Sequence, residues 1–384
     1  METFVAKTLY GLENVLSMEL RELGASDVRP ANRAVYFAGN KELMYRVNYC
    51  ARTAVSVLLP VATFSIGSKD DLYYGASRVR WSEFLDPGMT FSIVPVVNSK
   101  LFGHTAFPAL VLKDAIADYF RKKTGKRPDV DTHNPDILIN LHISNSKVTV
   151  SLDSSASPLF QRGYRVEQGK APMNEVLAAG ILMLAEWNAS VDLIDPMCGS
   201  GTLITEAGLI AKKIPPGFFR SSFGFTKWKD FDEDIFIKVK DESDNKITPS
   251  SIHIYGSDIS KTAVRIAAAN LKSAGLSDIV SLNVADFKDV RPPGNQGCLV
   301  SNPPYGKRLS PPEIHSLYNM IGSTLKHNFT NYKAWIITYG KEFINDIGLK
   351  PCAKFVLFNG SLQCILAGFE LYEGTKKNLS DRRS

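Results

Sequence analysis

Apolar positions along this chain recur with two periods, and the way those periods alternate changes at about residues 157–165. Before that point, short strand-like runs flank stretches with helical spacing. Residues 4–8 read as a strand; Leu12, Val15, Leu16, Leu20 and Leu23 then follow helical spacing, with Gly24 placed to cap the helix. A strand over 34–38, a helix over 41–50 and a strand over 54–64 follow. A second group has strand patterns over 90–97, 137–143 and 147–152, with a helix over 107–123 that carries Pro108 near its start. We assign residues 1–54 to one α+β unit and 55–156 to another. From residue 157 onward strand and helix patterns alternate, which argues for an α/β fold with a doubly wound parallel sheet covered on both faces. Helices over 174–186, 201–213, 260–274 and 312–326 alternate with strands over 191–194, 252–256, 280–284, 298–300 and 334–338. A strand pair over 353–358 and 363–371 closes the pattern, and the polar tail, 376–384, is expected to fray. Residues 214–251 exceed what one strand–helix unit requires and read as an insertion in a unit spanning 157–384.

Composition narrows the classes. With 44% hydrophobic and 22% charged residues the chain has ordinary globular usage, so wholesale disorder is excluded. The most apolar stretch, 176–185, stops at Glu186, short of a bilayer span. The first residues lack the pattern of a secretory signal, so the expected location is the cytoplasm. Cys50, Cys198, Cys298, Cys352 and Cys364 are odd in number and scattered, which points to neither a disulfide framework nor a metal site. The net charge of +6 is compatible with nucleic acid without requiring it. Five of the seven residues 121–127 are basic (Arg121, Lys122, Lys123, Lys126, Arg127). They suit either a solvated helix end complementing its dipole or a footprint for phosphate.

Four signals carry chemistry. Asp195-Pro196-Met197-Cys198-Gly199-Ser200-Gly201-Thr202 lies between an apolar strand and a helix, where glycines let a ligand approach and a helix N-terminus offers free N–H groups. It is neither a G-x-G-x-x-G fingerprint nor a phosphate loop, because no Lys follows. Asp258, before Ile259, ends the next strand, where a carboxylate accepts both hydroxyls of a ribose or caps the following helix. Asp286-Phe287 follows the third strand, placed for an adenine amino group and ring. The decisive signal is Ser301-Asn302-Pro303-Pro304-Tyr305-Gly306. Two prolines stiffen this loop, so the Asn302 amide oxygen and the Pro303 carbonyl accept the two protons of one planar amine. Such an amine is a poor nucleophile, and two acceptors favour its pyramidal form and the charge that develops on attack. Tyr305 is placed to stack on the base. The insertion adds Phe218, Phe219, Arg220, Phe223, Phe225, Lys227 and Trp228, a mixture that suits either stacking on unpaired bases or an ordinary packed excursion.

With these signals in order, residues 157–384 resemble the Rossmann-like class I S-adenosylmethionine-dependent methyltransferases with an Asn-Pro-Pro-Tyr loop. Nearly the whole chain resembles the THUMP-domain RNA methyltransferases, specifically the single-methyltransferase-domain form of the large-subunit rRNA guanine-N2 enzymes. The resemblance rests on residues 158–165, 170–175, 195–202, 302–306 and 223–228. It implies a ferredoxin-like unit and a THUMP domain ahead of the catalytic sheet. It implies that Asp195, Pro196, Cys198, Gly199, Gly201 and Thr202 shape the methionine end of the cofactor site. Asp258 and Ile259 would meet the ribose, Asp286 and Phe287 the adenine, and Asn302, Pro303, Pro304 and Tyr305 the guanine amine. Arg162 and Arg165 join the basic run as candidates facing RNA, and Arg165 and Asn174 as candidates for cofactor carboxylate and lid contacts. The partner implied is RNA, 23S rRNA first and tRNA second. A DNA amino-methylase or a protein glutamine methylase shares the loop but leaves the THUMP-like half unexplained, and the alternative of another class is a non-catalytic RNA-binding assembly factor.

Overall fold

In a computed structural model, residues 1–169, 172–304 and 310–373 are described. Tyr305 and Gly306 of the diproline loop, Lys170 and Ala171 of the 170–175 motif, and the tail expected to fray lie outside them. The elements begin β1 (Glu2–Lys7), α1 (Glu13–Glu22), β2 (Ser26–Ala31), β3 (Ala34–Gly39), α2 (Lys41–Cys50), β4 (Ser56–Ser65) and α3 (Lys69–Ser77). They continue with β5 (Thr90–Asn98), α4 (Ala106–Thr124), β6 (Asp129–Val130), β7 (Ile137–Ser144), β8 (Lys147–Asp153), α5 (Glu175–Leu184), β9 (Leu193–Asp195) and α6 (Thr202–Ala211). After α7 (Glu233–Asp244) come β10 (Ile254–Asp258), α8 (Lys261–Ser273), β11 (Val280–Val284), β12 (Gly297–Ser301), α9 (Pro311–Asn328) and β13 (Tyr332–Thr338). The last are α10 (Lys341–Asp346), β14 (Ala353–Asn359) and β15 (Leu362–Glu370).

Two units emerge. The first holds residues 1–8, 16–161 and 220–242 and contains an eight-stranded sheet in the order β2-β3-β1-β4-β8-β7-β5-β6. Strand β4 pairs antiparallel with β1 on one side and β8 on the other, so the two α+β groups share one sheet. Local chemistry sets the helices. Asn40 caps α2 by accepting the Leu43 N–H at 2.9 Å, Ser68 and Asp71 form a capping box at α3, and Gly125, at φ 73°, ends α4.

Of the insertion aromatics, Phe223, Phe225 and Trp228 belong to this first unit, whereas Phe218 and Phe219 fall in the second. Phe223 and Phe225 are 4% and 0% exposed, and Phe225 lies 4.3 Å from Tyr45 between ring centroids. Arg220 donates to the carbonyl oxygens of Ser155, Ser157, Pro158 and Gln161. Base stacking by Phe223, Phe225 and Trp228 is therefore overturned: their rings are spent in the core, and the packed alternative is the one observed.

The second unit holds residues 9–15, 162–219 and 243 onward, with a seven-stranded sheet in the order β11-β10-β9-β12-β13-β15-β14. Its pairs are parallel except that β15 runs antiparallel to both β13 and β14. Strand order reverses at β9, which has β10 on one flank and β12 on the other, and a crevice beyond strand carboxyl ends forms at such a reversal. All five residues of β12 are buried, as its continuous apolar run requires of a central parallel strand. No described helix is long and apolar enough to cross a membrane.

Candidate active site

The carboxyl ends of β9, β10, β11 and β12 present the four sequence signals side by side, in the order the sheet imposes. After Asp195 and the buried Pro196, the chain turns through Gly199 at φ 55° and Gly201 at φ 85°, left-handed values that disfavour other residues. A Cβ at Gly201 would sit 3.0 Å from Ala267 Cβ, so packing also demands glycine there, whereas one at Gly199 would meet nothing within 4 Å. The turn is anchored by Cys198 N–H donating to the Ser257 carbonyl at 2.8 Å. Cys198 itself is 7% exposed, and burial pushes its thiol well above the usual range.

Asp258 faces the same turn. Its Oδ2 accepts the Gly199 N–H at 3.0 Å and its Oδ1 the Ser260 N–H at 2.9 Å. The cap of α8 is Ser260, which accepts the Ala263 N–H, and Asp258 is thereby left to hold the glycine turn. Ile259, beside it, is 73% exposed, an apolar chain left open at a strand end. Asp286 caps a short helical turn by accepting the Lys288 N–H at 3.2 Å. Phe287 needs correction. Its ring is 2% exposed and packs 6.1 Å from Phe329 in the core beneath α9, so it has no face to give a base.

Asn302 follows β12. Its side-chain oxygen is buried and accepts no hydrogen bond among the described residues, whereas most buried polar atoms in proteins are paired. Ser301 Oγ donates to Asp195 Oδ1 at 2.8 Å, and the Met197 N–H donates to the same oxygen at 3.1 Å. Burial pushes the Asp195 carboxyl up to about 7, against the pull of those two donors, and the nearby Asp258 charge adds to the rise.

A second cluster stands at the start of α6. Arg165 donates to Glu175 Oε1 at 2.6 Å, to Thr202 Oγ1 at 3.1 Å and to the Met173 carbonyl at 3.3 Å. Asn174 caps α5 by accepting the Val176 N–H. Arg162 also needs correction as a cation facing RNA: it is 2% exposed, with Nε 3.5 Å from the fully buried Glu206. Tyr164 Oη donates to the same Glu206 oxygen at 3.2 Å. Sequence reading gave no role to Glu206, Glu175 or Ser301. An acid inside the apolar run of α6 was the available sign for Glu206, because a buried charge requires a partner. In the first unit the basic run is exposed along its length. A surface cavity of about 390 Å³ beside it is lined by Tyr73, Phe107, Lys69 and Arg121, together with Asp118, which pairs with Arg121 at 3.0 Å.

Known proteins are similar to this chain in sequence and fold. The family profile of the RMKL-like methyltransferase domain matches residues 162–367, a THUMP domain matches 67–153 and an RlmL ferredoxin-like domain matches 3–58. A Synechocystis protein provisionally named as an RNA methyltransferase is 36% identical over 96% of this chain and 97% of its own length. The ribosomal RNA large subunit methyltransferase K/L of Shewanella frigidimarina is 36% identical over 98% of this chain, which spans only 54% of that longer relative. A crystal structure of SMU.472, provisionally described as a methyltransferase and complexed with S-adenosylhomocysteine, superimposes with a TM-score of 0.88 at 30% identity, covering 97% of this chain and 99% of that one. With its strand order, glycine turn and diproline loop, the chain therefore belongs to the THUMP-domain, S-adenosylmethionine-dependent RNA methyltransferases that carry an RMKL-like catalytic domain.

Proposed function

We propose that this protein methylates the exocyclic N2 amine of a guanine in RNA, with 23S ribosomal RNA as the substrate. The observation that carries the reading is the Asn302 amide oxygen, buried at the end of β12 with no acceptor role filled among the described residues. An unmet buried acceptor costs on the order of 1–3 kcal/mol, and a flat amine entering beside it meets that need. The large-subunit name of the Shewanella relative supports ribosomal RNA.

The chain's own groups suit the cofactor. Asp258 spends one lone pair of each oxygen on a backbone N–H and keeps others for ribose hydroxyls. Gly199 leaves open space at the turn, and Ile259 offers an exposed apolar surface next to Asp258. Asp195, Gly201 and Thr202 hold the turn that we assign to the methionine end. When bound, S-adenosylmethionine supplies an electrophilic methyl on sulfur, and the new N–C bond forms as the C–S bond breaks, leaving S-adenosylhomocysteine. Asn302 and the Pro303 carbonyl accept the amine protons and stabilise the positive charge that grows on nitrogen. Prolines 303 and 304 keep those oxygens from turning away. No strong base is needed before the bond forms, and the surplus proton leaves for solvent afterwards.

Purified protein, labelled cofactor and separate pools of rRNA and tRNA test the reading. Label in rRNA guanosine, located by mass mapping, is the expected result; label only in tRNA overturns the substrate. Asn302→Ala should lower methyl transfer about 10²-fold, the scale for one lost transition-state contact, with RNA binding nearly unchanged. Turnover at the wild-type rate in that variant sinks the mechanism.

A further inference from the structure

Ser301 is the last residue of β12 and directly precedes Asn302. On one flank its backbone is held by the parallel ladder to β13, which runs through Ser301 opposite Ile336. On the other flank the ladder to β9 stops two residues earlier, at Leu299 opposite Ile194. Beyond that stop the two strand ends are joined by a side chain: Ser301 Oγ donates to Asp195 Oδ1 at 2.8 Å, both residues being 1% exposed. The same carboxylate oxygen accepts the Met197 N–H, so one atom ties the start of the glycine turn to the residue before Asn302.

We propose that Ser301 is a positioning residue for methyl transfer, its hydroxyl on Asp195 setting where the Asn302 amide oxygen stands relative to the glycine turn. The inference rests on the reading of Asn302 given above. Among the described residues no hydrogen bond fixes the Asn302 oxygen, so its place must come from the backbone on either side. Two prolines restrain the following side, and the Ser301–Asp195 bond restrains the preceding one. Displacement by about 1 Å at a reacting centre costs on the order of 10²-fold in rate, so a single buried bond at this point controls turnover without touching either substrate. The groups that share the field at Asp195 are Asp258 and Cys198, and neither supplies a replacement proton donor to Oδ1 among the hydrogen bonds described.

The full-length protein with labelled S-adenosylmethionine and the RNA pool that it labels provides the test. Ser301→Ala should lower kcat about 10-fold or more while KM for cofactor and RNA stays within about twofold. Ser301→Thr keeps the hydroxyl and should restore most of the loss. In an Asn302→Ala background, Ser301→Ala should cost nothing further, because the oxygen it places is gone. The same proportional loss in both backgrounds, an unchanged kcat in Ser301→Ala, or a change confined to KM each overturns the proposal. If Ser301→Ala fails to fold by circular dichroism, Ser301→Cys, with similar shape and a weak donor, is read by the same criteria. The two readings fail separately: an active Asn302→Ala removes the catalytic assignment, whereas an inactive Asn302→Ala with an active Ser301→Ala removes only this inference.

Discussion

Asp195→Asn gives a test of site energetics that needs no RNA. Asp195 is 1% exposed, and burial raises its carboxyl from the usual 3.8 to about 7. Between those values the unfolded chain has released the proton and the folded chain has kept it. The unfolded state then binds fewer protons, so stability falls as pH rises through this window. At about 1.36 kcal/mol per tenfold change the cost reaches about 4 kcal/mol above pH 7. An Asn keeps an oxygen for the Met197 and Ser301 donors and removes the titration. Melting temperatures of the cofactor-free protein and the variant, measured at pH 5, 7 and 8.5, check the argument. The gap should grow with pH in the variant's favour, to about 5 °C at pH 8.5. Asp153, pushed to about 6 by burial, titrates in both proteins and cancels from the comparison. A gap independent of pH would refute the reasoning.

The other predictions are shorter. Arg162→Ala leaves Glu206 buried without its cation and should destabilise the protein by about 3–5 kcal/mol, read in denaturant unfolding, with RNA affinity of the folded fraction unchanged. Gly201→Ala forces a side chain to adopt φ 85° and to press on Ala267; it should cost about 1–2 kcal/mol in unfolding and weaken cofactor binding measured by calorimetry. Joint replacement of Arg121, Lys122 and Lys123 by Ala should weaken RNA binding across sequences and reduce the salt slope of log Kd by about 2, if the exposed run meets phosphate; an unaltered slope returns it to the role of a solvated helix end.

Much of the secondary structure follows from local pattern. The helix Lys41–Cys50 and the strand Val280–Val284 have the predicted bounds, because their apolar spacing and caps are contained within a few neighbouring residues. Elements β2, α3, β6, α7 and α10 escaped that reading. Strand β2 is mostly exposed and shows little apolar alternation, α3 buries only Leu72 and Ala76, and α10 is six residues long. Strand β2 is held by its hairpin partner β3, α3 by its capping box, and α10, which buries Phe343 and Ile344, is too short to show a period.

By itself the sequence determined the alternation of strands and helices and the stations of the chemistry, since Asp195, Asp258, Asp286 and Asn302 each stand at a strand end marked by local apolar runs and turn residues. Tertiary structure decided the rest. It alone put β9 between β10 and β12, joined both N-terminal groups through β4, drew Phe223, Phe225 and Trp228 into a core, and turned Arg162 inward toward Glu206. The physical reason is that hydrophobic periodicity records which face of an element is buried and says nothing of what it is buried against. A partner 40 to 110 residues away, such as Glu206 for Arg162 or Asp195 for Ser301, is chosen only when the chain has folded.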